Sequence, residues 1–236
     1  MVPVSGRELA LLGEVAVELL GRMPRSSNAT FLVRVSRGED SACAIYKPEA
    51  GERPLSDFEP GLYRREYAAY LLSEYLEWGL VPPTVIRAEA PLGIGSLQWF
   101  VEYDFSEHYF TLYADAPETR PCLSKIALFD YIANNTDRKS GHVLRGHDGR
   151  VWGIDHGLCF SAGFKLRTVI WDFAGEAIPA ALLEDIAPLA HAVPSGLSEV
   201  VDAAEAAALQ RRARRILKDG VLPVNLTGMR YPWPLV

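Results

Sequence analysis

The residues best suited to chemistry lie in one stretch of the second half of the chain. Asn134-Asn135-Thr136-Asp137-Arg138-Lys139-Ser140-Gly141-His142 runs into an apolar pair, and Trp152-Gly153-Ile154-Asp155-His156-Gly157 follows shortly after. Asp137 and Asp155 each stand at the mouth of a short apolar segment, 18 residues apart, and His142 comes five residues after the first acid. Phosphoryl transfer from a nucleotide needs such a set: one carboxylate to orient the attacking hydroxyl, others to hold a metal on the phosphates. Each part also has a plainer reading. A polar string after a helix often terminates it through Asx-type hydrogen bonds, and an Asp-His-Gly turn can be an ordinary type I turn. The conjunction favours chemistry, because the hairpin signal Gly146-His147-Asp148-Gly149 folds Asp155 back toward Asp137.

His142 is the unusual member. Mg²⁺ prefers oxygen ligands, whereas imidazole suits softer transition metals. A histidine where an asparagine is expected can ligate Mn²⁺, hydrogen-bond a phosphate, or mark reduced catalysis. His108, His147 and His191 have no metal spacing with one another and read as surface or capping residues.

The first half supplies a cation and its partner. Lys47 ends the apolar segment Ile45-Tyr46-Lys47, from which it can reach a nucleotide's phosphates, and Glu66 opens a helical pattern 19 residues on and can hold it in place. Separately, each has a structural reading: a solvated strand-end lysine, and a glutamate favoured by the helix macrodipole. Ser26-Ser27-Asn28-Ala29-Thr30 can present backbone N–H groups and hydroxyls to phosphates. It would do so between an earlier short strand and the segment from Phe31, if anything covers the phosphates at all. Phe100, Val101 and Glu102 end the last strand of this half, where backbone groups can bind adenine or simply continue a core strand.

These residues need elements to position them. Ser5 and Glu8 form a capping box ahead of a helical face of Leu9, Leu12, Ala16, Leu19 and Leu20, ending near Gly21. Ala29 to Ser36 and Ala42 to Lys47 read as a hairpin, Leu62 to Trp78 as a helix stopped by Gly79, and Thr84 to Ala90 and Leu97 to Tyr103 as strands. Cys122 to Ile132, Pro179 to His191 and Leu197 to Lys218 read as helices, and His142 to Arg145 and Arg150 to Ile154 as short strands. The aromatics of Tyr231-Pro232-Trp233-Pro234 are expected to dock on the core. Strands thus cluster before about Tyr103 and helices after it, an α+β chain with a sheet lobe (1–103) and a helical lobe (104–236).

Bulk properties narrow the partners. The 236 residues are 49% hydrophobic, enough for a sizeable core, and the net charge of −6 argues against nucleic acid, whose backbone wants a basic face. Cys43, Cys122 and Cys159 are odd in number and widely spaced, with no metal pattern, which suggests a reducing compartment. The first residues lack a signal peptide's pattern and no apolar run approaches the roughly 20 residues of a membrane span. The expectation is a soluble cytoplasmic protein without stable membrane association.

The same residues resemble the atypical branch of the protein kinase-like superfamily, which includes the phosphatidylinositol 3- and 4-kinases and the HipA-type serine kinases. Asn135-Thr136-Asp137-Arg138 is similar to their Asp-Arg catalytic loop, and Tyr46-Lys47-Pro48, Arg65-Glu66 and Ile154-Asp155-His156-Gly157 are similar to the lysine, helix-glutamate and metal-turn elements. Nearly the full length also resembles an actinobacterial family labelled phosphatidylinositol 3- and 4-kinase-like, through Gly51-Glu52-Arg53-Pro54-Leu55, Val81-Pro82-Pro83-Thr84-Val85 and His156-Gly157-Leu158-Cys159-Phe160. The resemblance implies a bilobal fold with ATP and Mg²⁺ or Mn²⁺ between the lobes. Lys47 would contact phosphate, Glu66 would hold Lys47, Asp137 would act on an acceptor hydroxyl of unknown identity, and Asp155, with His142 in the second ligand position, would bind metal. It departs from the family in lacking a glycine-rich loop, an Ala-Pro-Glu segment and a basic patch for an inositol headgroup. The leading reading is an ATP- and metal-dependent phosphotransferase acting on a small molecule or protein side chain. A nucleotide-binding pseudokinase and an adenylyltransferase on the same fold are the alternatives.

Overall fold

A computed structural model describes residues 6–235 apart from 14, 25, 227 and 229. The amino-terminal part is a five-stranded antiparallel sheet of order β1-β2-β3-β5-β4, made of β1 (Ala16–Arg22), β2 (Phe31–Arg37), β3 (Asp40–Pro48), β4 (Thr84–Arg87) and β5 (Gly95–Trp99). Period-2 alternation gives the sheet two faces. Val33, Val35, Ala44, Tyr46 and Leu97 point to one side, where they bury a small core with Leu11 and Leu12 of helix α1 (Gly6–Gly13). Ile45 and Lys47 therefore point to the other side, into the cleft described below.

Helix α2 (Leu62–Tyr75) lies between β3 and β4 in sequence, but its Ala68, Ala69, Tyr70 and Leu72 belong to the larger core of the carboxy-terminal half. That half contains α3 (Tyr109–Asp115), α4 (Arg120–Ala133), the hairpin β6 (Val143–Arg145) and β7 (Val151–Gly153), α5 (Ala180–Ile186), α6 (Ser195–Ser198) and α7 (Ala203–Asp219). The molecule is thus α+β, with its sheet early and its helices late.

Several sequence expectations change. The first helix stops at Gly13, and Ala16, Leu19 and Leu20 lie in β1, paired antiparallel with β2. Their helical spacing is coincidental: Leu19 and Leu20 are exposed at 39% each, and Gly21 sits at a register shift in the strand rather than at a helix stop. Ser5 of the expected capping box lies outside the described residues. Ser26 to Thr30 consequently forms the turn between the first two strands. The helix expected over Leu197 to Lys218 is broken, because Asp202 accepts from the Glu205 amide while Glu205 accepts from the Asp202 amide, a capping box that starts α7 afresh. The Pro179 to His191 helix is tightened to 3₁₀ over 187–190. Helix α3 was not foreseen. The tail docks through its backbone and the buried Pro232, not its aromatic rings: the carbonyls of Arg230 and Leu235 accept from the Thr168 and Ser140 amides, while Tyr231 and Trp233 stay 45% and 87% exposed.

Candidate active site

A cleft of about 720 Å³ opens between the sheet and the helical half. It is lined by Ser26, Ser27, Asn28, Ala29 and Thr30, by Lys47 and Glu66, by Phe100 and Val101, and by Asp137, His142 and Asp155. Glu102 is the exception. Its carboxylate is 80% exposed and lies 4.0 Å from His147, while its backbone carbonyl accepts from the His147 amide. Strand β5 ends at Trp99, so Phe100, Val101 and Glu102 form the connection out of the sheet rather than strand.

Lys47 is the meeting point. Its Nζ donates to Glu66 Oε1 and, at 2.7 Å, to Asp155 Oδ1. Burial by itself would depress the ammonium, but the Asp155 and Glu66 carboxylates outweigh it and hold Lys47 above the ordinary lysine range. Burial would likewise raise Asp155, yet Lys47 holds that carboxyl well below the usual range. Glu66, 2% exposed, is raised by burial with Lys47 opposing. Its second oxygen accepts the His156 amide at 3.0 Å, so α2 is tied to the acid turn as well as to the lysine. Gly157 permits this approach, because a Cβ there would meet Glu66 Oε1 at 3.3 Å. Asp155 itself adopts φ 59°, a left-handed conformation that aspartate tolerates better than most side chains.

The loop after α4 is held from beneath by a buried hub that sequence reading missed. Arg138 and Asp130 are fully buried and form a bidentate pair, both bonds 2.9 Å. The remaining Arg138 donors reach the His142 carbonyl at 3.0 Å, the Ile154 carbonyl at 2.7 Å and His156 Nε2 at 2.7 Å. One guanidinium thus fixes the spacing between the Asp137–His142 loop and the Asp155 turn. The signal was present: Asp130 is a lone charge in the apolar run Leu128-Phe129-Asp130-Tyr131-Ile132. Asn135 adds the Asx-type bond expected of a polar string, its Oδ1 accepting from the Asp137 amide at 3.0 Å. Asn134 clamps the segment beyond the acid turn through the carbonyls of Ser161 and Gly163 and the amide of Lys165.

Asp137 faces the cleft with Lys139 Nζ at 3.2 Å from its Oδ2. Burial raises its carboxyl and Lys139 pulls it back down. Lys139 lines the cleft too and was not singled out from sequence. His142 Nε2 lies 3.2 Å from Asp155 Oδ2, and burial lowers the imidazole to about 4, with Asp155 opposing, so the ring is neutral near pH 7.

Glu52 is a further residue to which the sequence assigned no role. Its Oε2 accepts the Gly61 amide at 2.8 Å and its Oε1 the Tyr63 amide at 3.0 Å, capping the start of α2. The neighbouring Arg53 amide donates to Asn28 Oδ1, and Gly51 accepts from the Ala29 amide at 2.8 Å. A Cβ on Gly51 would strike Ala29 Cβ at 2.7 Å, which explains a glycine there. The segment from Gly51 to Arg53 therefore joins the turn over the cleft to the helix that carries Glu66.

Sheet, helix glutamate, strand lysine and paired acid-bearing loops around one cleft define a kinase-like molecule. The chain belongs to the phosphatidylinositol 3- and 4-kinase family, whose sequence model matches residues 61–208. It is 38% identical to Protein Rv2133c of Mycobacterium tuberculosis over 96% of this chain and 95% of that protein. It is 28% identical to phosphatidylinositol 4-kinase gamma 4 of Oryza sativa subsp. japonica over 74% of this chain, but spans only 35% of the plant protein's length. Among solved structures it is similar to the Helicobacter pylori proinflammatory kinase CtkA, with a TM-score of 0.47 and 11% identity, covering 88% of this chain and 93% of that one. Among the described residues, no helix is long and apolar enough to cross a membrane.

Proposed function

We propose that this chain is an ATP- and divalent-metal-dependent phosphotransferase whose acceptor is a hydroxyl of a small molecule or a protein side chain. The supporting observation is the Lys47 ammonium held between Glu66 and Asp155 in the cleft that Asp137 also lines. In this reading the lobes divide near Tyr103 and the nucleotide lies between them. Lys47 binds phosphate oxygens, and Glu66 keeps it extended toward them. The turn Ser26 to Thr30 covers the phosphates with backbone N–H groups, and Phe100 and Val101 border the base. Asp137 orients the acceptor hydroxyl and takes its proton as the new O–P bond forms at the γ-phosphorus and the bond to the β–γ bridging oxygen breaks, releasing ADP. Lys139 offsets charge on the transferring group. The protein contributes mainly position and fixed charge.

The donor set fits a divalent ion bound together with a nucleotide. Among the described residues no group of three or more His, Cys, Asp and Glu side chains could hold a metal by itself. Asp155 Oδ2 and His142 Nε2 supply two ligands and leave the remaining positions to phosphate and water. A divalent ion held there would neutralise phosphate charge.

The test combines binding and product analysis. ATP with a divalent ion at about 100 times its Kd should raise stability by about 2.7 kcal/mol. ADP should then form, slowly with water as acceptor. Binding without ADP would leave a nucleotide-binding pseudokinase, pyrophosphate release would mark nucleotidyl transfer, and absence of binding would overturn the reading.

A further inference from the structure

Two observations on His142 go beyond the presence of a metal site. First, the imidazole and the Asp155 carboxylate present one atom each to the same spot, Nε2 and Oδ2 being 3.2 Å apart. The other carboxylate oxygen, Oδ1, is already taken by Lys47 at 2.7 Å. Second, the far side of the ring is fixed by the backbone. Nδ1 lies 3.1 Å from the Asp137 carbonyl oxygen and 3.4 Å from the Lys139 amide. The Lys139 amide contact suits a ring protonated on Nε2, which then donates to Asp155 Oδ2, whereas the shorter carbonyl contact suits a ring protonated on Nδ1, which leaves a lone pair on Nε2. In that tautomer Nε2 and Oδ2 are two acceptors aimed at each other, an arrangement that a cation between them would satisfy. A backbone carbonyl holding Nδ1–H is also the usual way a protein orients a metal-ligating histidine.

We infer that His142 sets the metal preference of the cleft, selecting Mn²⁺ or a similar imidazole-accepting divalent ion over Mg²⁺. The inference rests on the nucleotide-site reading above and adds to it the identity of the ion. The chemistry is that of the ligands: Mg²⁺ demands near-octahedral oxygen coordination and binds nitrogen poorly, whereas imidazole suits first-row transition ions. A neutral nitrogen beside a carboxylate whose other oxygen is committed to a lysine is a poor Mg²⁺ site and an adequate Mn²⁺ one. The Asp137 carbonyl ties this preference to the catalytic loop, so the residue proposed as base and the proposed metal ligand are held in register by one hydrogen bond.

The experiment uses the full chain with a non-hydrolysable ATP analogue. Mn²⁺ binds nucleotides and oxygen sites more tightly than Mg²⁺ in any case, so the readout is the change in the ratio of the two affinities upon substitution. Titration of the analogue with each ion should show the Mn²⁺-to-Mg²⁺ ratio falling by about tenfold or more in His142→Asn. A pulsed electron paramagnetic resonance spectrum of Mn²⁺ in the wild-type complex should carry the modulation of a directly bound imidazole nitrogen, and this should vanish in the variant. His142→Gln serves if the asparagine variant does not fold, and the wild-type spectrum needs no variant. An unchanged ratio, or a wild-type complex lacking the nitrogen signal while the analogue binds, overturns the metal preference and leaves the nucleotide reading standing. Failure of the analogue to bind with either ion overturns both.

Discussion

At the scale of single residues, the cleft sets charges against one another in a fixed order. Lys47 stays charged because two carboxylates outweigh its burial, and Asp155 stays ionised because Lys47 faces it. Asp137 is poised differently: burial pushes its carboxyl up, and Lys139 restrains the shift. Lys139→Met removes that restraint, so the protonated acid is favoured and the base becomes available only at higher pH. The acidic limb of the kcat/KM profile should therefore move upward in pH, as measured with any accepted hydroxyl substrate. A limb that stays in place or moves downward would show that Asp137 does not govern it. Lys139 stands two residues after Asp137 and gave no separate sequence signal, because a lysine in a polar loop is ordinary surface composition.

At the scale of elements, what matters is what holds each loop. The Arg138–Asp130 pair is fully buried, and Arg138 spends its other donors on the carbonyls of His142 and Ile154. Asp130→Ala leaves that guanidinium buried without its counter-ion, which should cost about 3–5 kcal/mol in urea unfolding; a loss under 1 kcal/mol would mean that the hub is dispensable. Glu52 acts at the other end of the cleft by capping α2. Glu52→Ala should lower stability by roughly 1 kcal/mol and also raise the KM for ATP, because α2 carries Glu66. A stability loss with an unchanged KM would make Glu52 a cap and nothing more. The sequence was legible wherever a charged residue lining the cleft stood near an element's end: Lys47 one residue before the end of a strand, Glu66 early in a helix, Asp137 after a helix, Asp155 after a strand. It marked Asp130 as a lone charge in an apolar run but did not name Arg138 as its partner or Glu52 as a cap, since pairing across eight residues or between a loop and a helix start leaves no local pattern. The α1–β1 boundary was misread for a related reason. Ala16, Leu19 and Leu20 fit a 3.6-residue period by chance, and only pairing with β2 makes them strand.

At the scale of the molecule, two cores meet at one cleft, and α2 is the element common to both sides. It packs in the large helical core, yet its Glu66 reaches Lys47 on the sheet and the backbone of His156 beyond the acid turn. Arg65, beside it, donates to the Cys159 carbonyl at 2.7 Å and pairs with Glu205 of α7 at 2.6 Å. Outside the cleft, Asp57 reaches Lys165 at 3.1 Å, an exposed pair that contributes little by itself but lies where the segment after Gly51 crosses the helical half. Fold class and the convergence of the chemically able residues could be anticipated because family motifs sit in a fixed order along the chain. The docking of the tail by backbone and Pro232 could not, since nothing in Tyr231-Pro232-Trp233-Pro234 reveals that the aromatic rings stay exposed.

In the proposed reaction Asp137 acts on the acceptor while Lys47 and Asp155 hold the donor. Asp137→Asn separates these two roles, with ADP formation and nucleotide affinity measured on the same preparation. Turnover should fall by about 10²–10⁴-fold while the nucleotide Kd stays within a few-fold of wild type. Turnover at the wild-type rate in that variant would contradict the role of Asp137.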